Sequence, residues 1–523
     1  MEKGLSMMNF KTWFWVLNFF TAFLRFLIIG KIGLTVDEAH YWVYTKFLDF
    51  SYFDHPPFIA YIIKISTLIF GNTEFAVRFP AVVIFFFSCW LFFICIRKLY
   101  DDKTAFIGVL LLNFLPVFSF LGSVISIPDS PLAFFWLLEF LIFIKIIQEG
   151  NKNLWYLLGI VNGLALLSKY NGIFLVFSIF AFLVLSVENR FWLKRKEPYF
   201  TAIIAGVVFS PVIIWNCLNH WVSFGFQLKH GFGNVFPQFS LTLFGRSIGA
   251  QAGYLSPFLF LFFCFVIIVC TYDAFVKKDK NALLIACFSL PTLILFNAVA
   301  AFNEILPHWT AMGWLICAIY GAHLTIKFWT SKKFRIYSYF SWAFCAFLIV
   351  LAVSHILYKV IPIEKFLPQK QREKIEHGIS EAERADITND VYGWKEMAAE
   401  IRRIINSYPP EKRPFLFTHK FYLASQLSFA VTELRVFCIS DRIDAYDIWQ
   451  KDLSILNGKD GLFICSNFFF SQPQERYGNV FKEYIFVEEF PIFRNKKKSK
   501  NFFFTLCKNF DSSKLPKEYI ANF

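Results

Sequence analysis

Charge is what this chain has least of. Only 17% of its 523 residues are Asp, Glu, Lys or Arg, while 57% are hydrophobic, with 72 phenylalanines among them. A water-soluble domain of this size needs a charged shell, and no single core could bury so much apolar surface, so a soluble enzyme is excluded. Cysteine pairs are missing too. The 11 cysteines include no C-x-x-C spacing, and only Cys438, Cys465 and Cys507 lie in the C-terminal region. That speaks against a zinc ribbon or a thioredoxin-like couple and for small buried hydrophobes. There is no glycine-rich phosphate loop and no nucleophile elbow. The HGFGN stretch at 230–234 lacks the strand-to-helix context of a dinucleotide fingerprint. No tandem repeat and no inverted pair of broken helices stands out.

Long apolar windows are what the chain does have. Windows suited to crossing a bilayer as helices occur near Trp13–Ile29, Ala76–Ile96, Ala105–Leu121, Pro131–Ile147, Leu154–Leu167, Gly172–Val187, Phe200–Leu218, Tyr254–Val276, Ala282–Ala301, His308–Ile326 and Tyr337–Tyr358, about eleven spans in all. The first has Lys3 and Lys11 before it and no small-residue cleavage site after it, so it is expected to be a retained anchor. Bases cluster in alternate loops: Arg97, Lys98 and Lys103; Lys145 and Lys152; Arg190, Lys194, Arg195 and Lys196; Lys277, Lys278 and Lys280; Lys327, Lys332, Lys333 and Arg335. The intervening loops hold most of the acids: Asp37, Glu38, Asp49, Asp54, Glu74, Asp129 and Glu304. The positive-inside rule then puts the N-terminus in the cytoplasm, and an odd span count sends the acid-bearing loop and the C-terminal region outward. The net charge of +14 thus reports topology, not a nucleic-acid partner.

The expected architecture is mainly α: a membrane domain over 1–360, with a first outer loop at 31–75, and an extracytoplasmic α/β domain over 361–523. Pro362, Pro368 and the run QKQREKIE mark the junction. In the tail, Val391–Asn406 has helical periodicity and stops at Pro409-Pro410. PFLFTH, LRVFCI and GLFICS read as strands and KFYLASQLSFAV as a helix, with edge strands expected near Tyr484–Val487 and Phe502–Leu506. This tail suits a lid or an acceptor-docking role better than separate catalysis.

Chemistry is expected in the stretch LTVDEAHYWVYTKFLDFSYFDHPP, Leu34 to Pro57. Ionisable groups beside a bilayer are expensive and need a reason. Thr35-Val-Asp-Glu38 reads as a capping box, with Asp37 favoured in the first turn by the helix dipole, and this alone accounts for both acids. Asp37, Tyr41 and Tyr44 also fall at i, i+4 and i+7 on one face, as a carboxylate flanked by rings in a sugar cleft would. The two readings are compatible, since a cap also fixes a catalytic carboxylate. Tyr52-Phe-Asp54-His55-Pro-Pro is a stiff turn, in which His55 could meet an anionic head group or a metal, or serve only as a turn residue. Asp129 in IPDSPL and Lys169 in LLSKYNG sit at outer mouths of spans, where they cap and snorkel or form a pocket for phosphate. Arg25 and Arg78 are either paired internally or face lipid phosphate. Lys229, His230 and Arg246 are weaker candidates, and Asp101-Asp102 reads as a solvated loop.

DEAHYW, YFDHPP, GNTEFAVRFPAV, PDSPLAFFW and GLALLSKYNGIFL, in that order over roughly residues 30–330, resemble the bacterial protein-mannosyltransferase-like integral membrane glycosyltransferases of the GT-C fold. They are similar to the branch that includes lipid A aminoarabinose and galacturonic-acid transferases. YGWKEMAAEI, FTHKFYLASQLSF and DRIDAYDIW look like the outer domain of related bacterial members. The resemblance implies a polyprenyl-phosphate sugar donor and transfer with inversion at the periplasmic face of the inner membrane, to lipid A, another envelope glycan or a protein. It implies Asp37 as base or acceptor-positioning acid with Glu38 beside it, and Tyr41, Tyr52, Asp54, His55, Asp129 and Lys169 around the substrates; Arg78 is added to the substrate-binding candidates on its own position at the start of the second span. No cofactor is certain, and a divalent metal stays open. Asp54-His55 stands where the aminoarabinose transferases carry lysine and glutamate, a departure that bears on the donor sugar. A transporter or lipid flippase and a lipopolysaccharide polymerase or ligase are the competing readings. The first needs polar groups deep inside several spans, and the second a large outward loop with paired arginines.

Overall fold

The computed structural model describes residues 9–233, 238–369, 375–377, 379–450, 452–516 and 519. Lys3, Asn234 and residues 370–374 of the charged run lie outside the described residues. Helices occupy all eleven positions expected to span. Among the described residues seven are long and apolar enough to cross a membrane: Glu74–Leu99, Asp129–Glu149, Glu197–Leu218, Pro257–Phe275, Lys280–Ala300, Pro307–Phe328 and Lys332–Tyr358. The count rises to eight if a bent pair is one span. Leu154–Ser168, Tyr170–Leu185 and the unanticipated Phe58–Phe70 are apolar but shorter. Phe10–Ile28 carries Lys11, Asn18 and Arg25 and falls outside the seven.

The bent pair replaces the straight helix expected over 105–121. Asp102–Phe114 and Val117–Val124 meet at 79°. Leu115 is extended at φ −78° and ψ 111° because it precedes Pro116, whose ring disfavours a helical residue before it. The chain then makes a π-turn over Val117–Leu121, a wide turn of the kind found at kinks. Arg25 holds this kink. Its guanidinium donates to Ser123 Oγ at 2.7 Å, and to Asn113 Oδ1 and the Ser119 carbonyl at 3.1 Å each, and it lies 4.6 Å from the centre of the Phe85 ring. Arg25 is therefore paired internally.

The chain forms two compact units. The first comprises residues up to Ile28, Phe50–Ile62 and Arg78–Val350. Its core is aromatic: Phe143 stands edge-on to Phe182 and Trp155, and Phe140 to Phe288, at centroid separations of 5.0 to 5.9 Å. Glycine lets Leu154–Ser168 lie against Glu197–Leu218. A Cβ at Gly159 would stand 2.7 Å from the Thr201 carbonyl, and one at Gly163 2.5 Å from Val208 Cβ. Such small-residue contacts are how membrane helices approach closely.

The second unit comprises Ile29–Asp49, Ile63–Val77 and Leu351–Phe523. Its main sheet has five strands in the order Val436–Cys438, Phe415–Thr418, Gly461–Ser466, Lys497–Lys508, Glu483–Arg494. The first three are parallel, with helix Phe421–Ala430 in the first crossover, and the last two join antiparallel. Lys497–Lys508 was expected at an edge but lies inside the sheet. Its run Phe502 to Cys507 is apolar almost throughout, as suits a strand covered on both faces. The 12-residue strands on either side of the hairpin are joined by Asn495-Lys496, both at positive φ (51° and 63°), a turn that matches the twist of the strands.

Candidate functional site

In the first unit the site residues meet where helices break. Asp129 opens the helix Asp129–Glu149 directly after Pro128. Lys169 leaves the helix Leu154–Ser168 in an extended conformation, φ −158° and ψ 142°, before the turn Tyr170–Gly172. That break aims its side chain at Asp129. The Lys169 ammonium donates to Oδ1 at 2.9 Å and to Oδ2 at 2.8 Å, with the two side chains 8% and 13% exposed. Two buried charges survive desolvation only when paired this closely.

His55 and His308 lie within electrostatic reach of that pair. His55 closes its stiff turn by accepting at its carbonyl from Tyr52 N–H at 3.1 Å, and Tyr52 is buried. The Asp54 carbonyl accepts from Gln227 Nε2 at 2.5 Å. The Tyr170 hydroxyl lies 2.7 Å from Ser223 Oγ, with Ser51, Asn216 and Asp54 in its polar surroundings. Asp54, His55, Asp129 and Lys169 therefore share one polar neighbourhood at helix breaks of an otherwise aromatic unit. Arg78, in the same unit, is 1% exposed.

Asp37, Glu38 and Tyr41 belong to the second unit, on helix Val36–Tyr44. The capping box is formed in full. Glu38 Oε2 accepts from Thr35 N–H at 2.9 Å and the Thr35 hydroxyl at 3.2 Å, while Thr35 Oγ1 accepts from Glu38 N–H at 3.4 Å. Glu38 is fully buried and Asp37 is exposed. The rings of Tyr41 and Tyr44 stand edge to face at 5.6 Å, and both are buried. The cap thus engages one carboxylate and leaves its neighbour outward.

Several functional candidates escaped the sequence reading. His308, in Pro307-His308-Trp309, opens a span as Asp129 does, and that shared position was the available signal. Gln227 and Ser223 carried no motif, and Tyr170 stood inside GLALLSKYNGIFL without being singled out. His40, inside DEAHYW, is buried against the rings of Tyr44 and Phe421, each at 4.9 Å, and its Nδ1 lies 3.1 Å from Ser425 Oγ. Near it, burial first and the Asp447 charge second push the Asp444 carboxyl up to about 7.

The His230 side chain lies outside the described residues, and three of the other weaker candidates have ordinary roles. Arg246 and Glu304 form an exposed pair at 3.7 Å, Asp101 caps a helix through Thr104 N–H at 2.7 Å, and Asp102 meets Arg97 at 2.8 Å. Among the described residues no group of three or more His, Cys, Asp or Glu could hold a metal ion.

Comparison with known proteins agrees with this architecture. Residues 54–215 match the family described as dolichyl-phosphate-mannose-protein mannosyltransferase. A lipid A galacturonosyltransferase, RgtD, of Rhizobium johnstonii is 24% identical over 309 residues, covering 56% of this chain and 61% of the relative. An undecaprenyl phosphate-alpha-4-amino-4-deoxy-L-arabinose arabinosyl transferase of Wigglesworthia glossinidia brevipalpis is 27% identical over 248 residues, covering 46% of this chain and 42% of the relative. The chain therefore spans about half the length of the curated relatives it matches. The crystal structure of apo ArnT from Cupriavidus metallidurans superposes with a TM-score of 0.61 at 13% identity, covering 94% of this chain and 98% of that one. The same protein bound to undecaprenyl phosphate gives 0.58 at 13% identity, covering 95% and 98%.

A mainly helical, multi-pass membrane unit and a mixed α/β unit, with the fold that ArnT has, make this a membrane protein of the GT-C fold. Within that class the chain is similar to a lipid A galacturonosyltransferase and to an undecaprenyl phosphate-aminoarabinose arabinosyl transferase of bacteria.

Proposed function

We propose that the chain is an integral membrane glycosyltransferase. It moves a sugar from a polyprenyl-phosphate donor to an envelope acceptor, lipid A or lipopolysaccharide first and protein second, with inversion at the anomeric carbon. It sits in the inner membrane with its site and C-terminal region facing the periplasm. The observation that carries this reading is the buried Lys169–Asp129 pair with His55 and His308 beside it, in a chain similar to a lipid A galacturonosyltransferase and an undecaprenyl phosphate-aminoarabinose arabinosyl transferase. A lysine ammonium and imidazole N–H donors at a membrane-protein helix break suit a departing phosphate.

The chemistry divides as follows. An acceptor hydroxyl attacks the anomeric carbon, the bond from that carbon to the phosphate oxygen breaks, and polyprenyl phosphate leaves with the electron pair. Lys169 and His55 offset the charge growing on that phosphate. Asp37, exposed and at the start of a fixed helix, takes the hydroxyl proton. For a phosphate acceptor, already anionic, Asp37 orients instead. Glu38, committed to the Thr35 cap, holds Asp37 in place. Tyr41, Tyr52, Asp54 and Arg78 belong to the walls and supports of the substrate region.

The test is mass spectrometry of lipid A, core and glycoprotein fractions from cells with and without the chain, and with Asp37→Asn. A sugar-sized mass lost in both the deletion and the variant is the expected result and names the sugar. A mass lost in the deletion but kept in Asp37→Asn would favour transport over transfer. No change in any fraction overturns the reading.

A further inference from the structure

The helix that bears Asp37 carries a buried polar chain that the transfer chemistry leaves unused. His40 is one turn on from Asp37 and 3% exposed. Its Nδ1 stands 3.1 Å from Ser425 Oγ, and that hydroxyl stands 3.2 Å from the Tyr446 hydroxyl. Ser425 is fully buried in helix Phe421–Ala430, and Tyr446 lies in the short helix Ala445–Trp449. Three polar side chains therefore run in series through a box of rings: Tyr44, Phe421, Tyr446 and Trp449 all lie within 6.5 Å of the imidazole centre. In such an apolar setting a polar group costs free energy unless its partner stands at one particular place, so the chain fixes position as apolar packing cannot.

Further contacts run the same way. Gln426 donates to the Leu34 carbonyl at 2.8 Å, just ahead of the cap. Trp42 stands edge-on to Phe429 at 5.1 Å, and Phe47 stacks on Trp449 at 4.9 Å. These partners come from residues 421–449, some 380 positions along the chain, while Trp42 also donates through its indole N–H to Asn72 Oδ1 at 3.0 Å. Apolar contacts of this kind hold a helix against its neighbour but allow it to slide or rotate by a fraction of a turn. The hydrogen-bonded series does not.

We propose that His40, Ser425 and Tyr446 are positioning residues, through which the C-terminal segment sets the rotation and register of the helix that presents Asp37 to the acceptor. This rests on the reading of Asp37 given above. A displacement of about 1 Å at a reacting group can cost on the order of a hundredfold in rate, so the energetic worth of the series would appear in turnover rather than in folding.

The experiment uses the full-length chain in cells, at limiting expression, with the sugar-sized mass lost on deletion as the readout. Initial accumulation of that mass is followed after induction and normalised to the amount of chain in the membrane. Ser425→Ala and Tyr446→Phe, which remove one hydroxyl each, are expected to slow it tenfold or more. His40→Asn, whose amide reproduces the ring at the Nδ1 position, is expected to stay within threefold of wild type, whereas His40→Gln, which reaches past it, falls with the hydroxyl variants. Hydrogen exchange of residues 36–44 in the purified chain should quicken in Ser425→Ala and remain at the wild-type rate in His40→Asn. Wild-type accumulation in Ser425→Ala and Tyr446→Phe, with Asp37→Asn inactive, overturns the positioning role and leaves the transferase reading standing. Equal losses in His40→Asn and His40→Gln also overturn it, since a merely structural histidine would behave so. Wild-type accumulation in Asp37→Asn removes the acid to be positioned and overturns both.

Discussion

Lys169 reaches both carboxylate oxygens of Asp129 across 40 positions of sequence, at 2.9 and 2.8 Å, with both side chains nearly out of solvent. The pair exists because two helices break at the same place, one after Ser168 and one at Pro128. Removing one member strands the other. Breaking such a buried pair costs roughly 3–5 kcal/mol, whereas replacing both partners by neutral groups of similar size is often close to neutral.

Lys169→Met alone should therefore lower the amount of folded chain in the membrane, and Asp129→Asn with Lys169→Met should restore much of it. Sugar transfer should be lost in both. Immunoblotting of membranes beside the envelope mass spectrum checks this. Recovery of transfer in the double variant would make the pair a structural clamp and nothing more.

Asp37 and Glu38 are adjacent, yet the structure gives them different work. Glu38→Gln can keep the hydrogen bonds of the capping box and should transfer sugar at near the wild-type rate. Glu38→Ala keeps the bond from the residue-38 N–H to Thr35 Oγ1 but loses the reciprocal half of the box, leaving the Thr35 N–H without its carboxylate acceptor. Asp37→Asn, which keeps the size of the side chain and an accepting oxygen, should leave the amount of folded chain in the membrane near wild type while abolishing transfer. The contrast between Glu38→Gln and Asp37→Asn is the informative one, and equal loss of activity in the two would return Glu38 to the chemistry.

Local chemistry was the legible part of the sequence. Thr35 and Glu38 announce a cap because the partners are three residues apart, and PFLFTH and GLFICS announce strands by composition alone. Position within the sheet was not legible in the same way. The strand around Phe502 to Leu506 looked like an edge because it comes late in the chain, but its place is set by pairing with Gly461–Ser466 on one side and Glu483–Arg494 on the other. The helix expected over 105–121 hid a break that one proline creates. The site was half visible: Asp129, Lys169 and His55 were marked by charge near span ends. His308 and His40 are single histidines in apolar surroundings, and only tertiary contacts reveal their partners.

The kink at Pro116 makes a prediction about Arg25, whose three hydrogen bonds all go to residues of the broken helix. Arg25→Lys keeps the charge but cannot donate in three directions from a planar fork. It should lower the melting temperature of the detergent-solubilised chain, and Arg25→Met should lower it further by removing all three hydrogen bonds and leaving the Asn113 oxygen short of the donor that Arg25 supplies. Equal melting temperatures for the three proteins would show that the kink is held by packing instead.

Asp444 gives the second unit a pH dependence of definite sign. Its carboxyl is raised from 3.8 to about 7, by burial first and the Asp447 charge next. Asp447 itself is raised to about 6, mainly by burial. A raised carboxyl means that the folded state holds its proton more tightly than the unfolded chain does. The stabilisation is fully present below about pH 4 and is lost as pH rises through the folded values, at about 1.4 kcal/mol for each tenfold difference in proton affinity between the folded and unfolded chain. Between about pH 4 and 7 the second unit should therefore lose stability, levelling off above that, and its melting transition, followed by hydrogen exchange of the strands Phe415–Thr418 and Gly461–Ser466, should shift to lower temperature. Asp444→Asn keeps an oxygen to accept from Tyr446 N–H, which Asp444 Oδ1 now does at 2.8 Å, and it removes the main titration. The variant should flatten the pH dependence while retaining the helix Ala445–Trp449. An unchanged slope in Asp444→Asn would assign the loss to other acids of the unit.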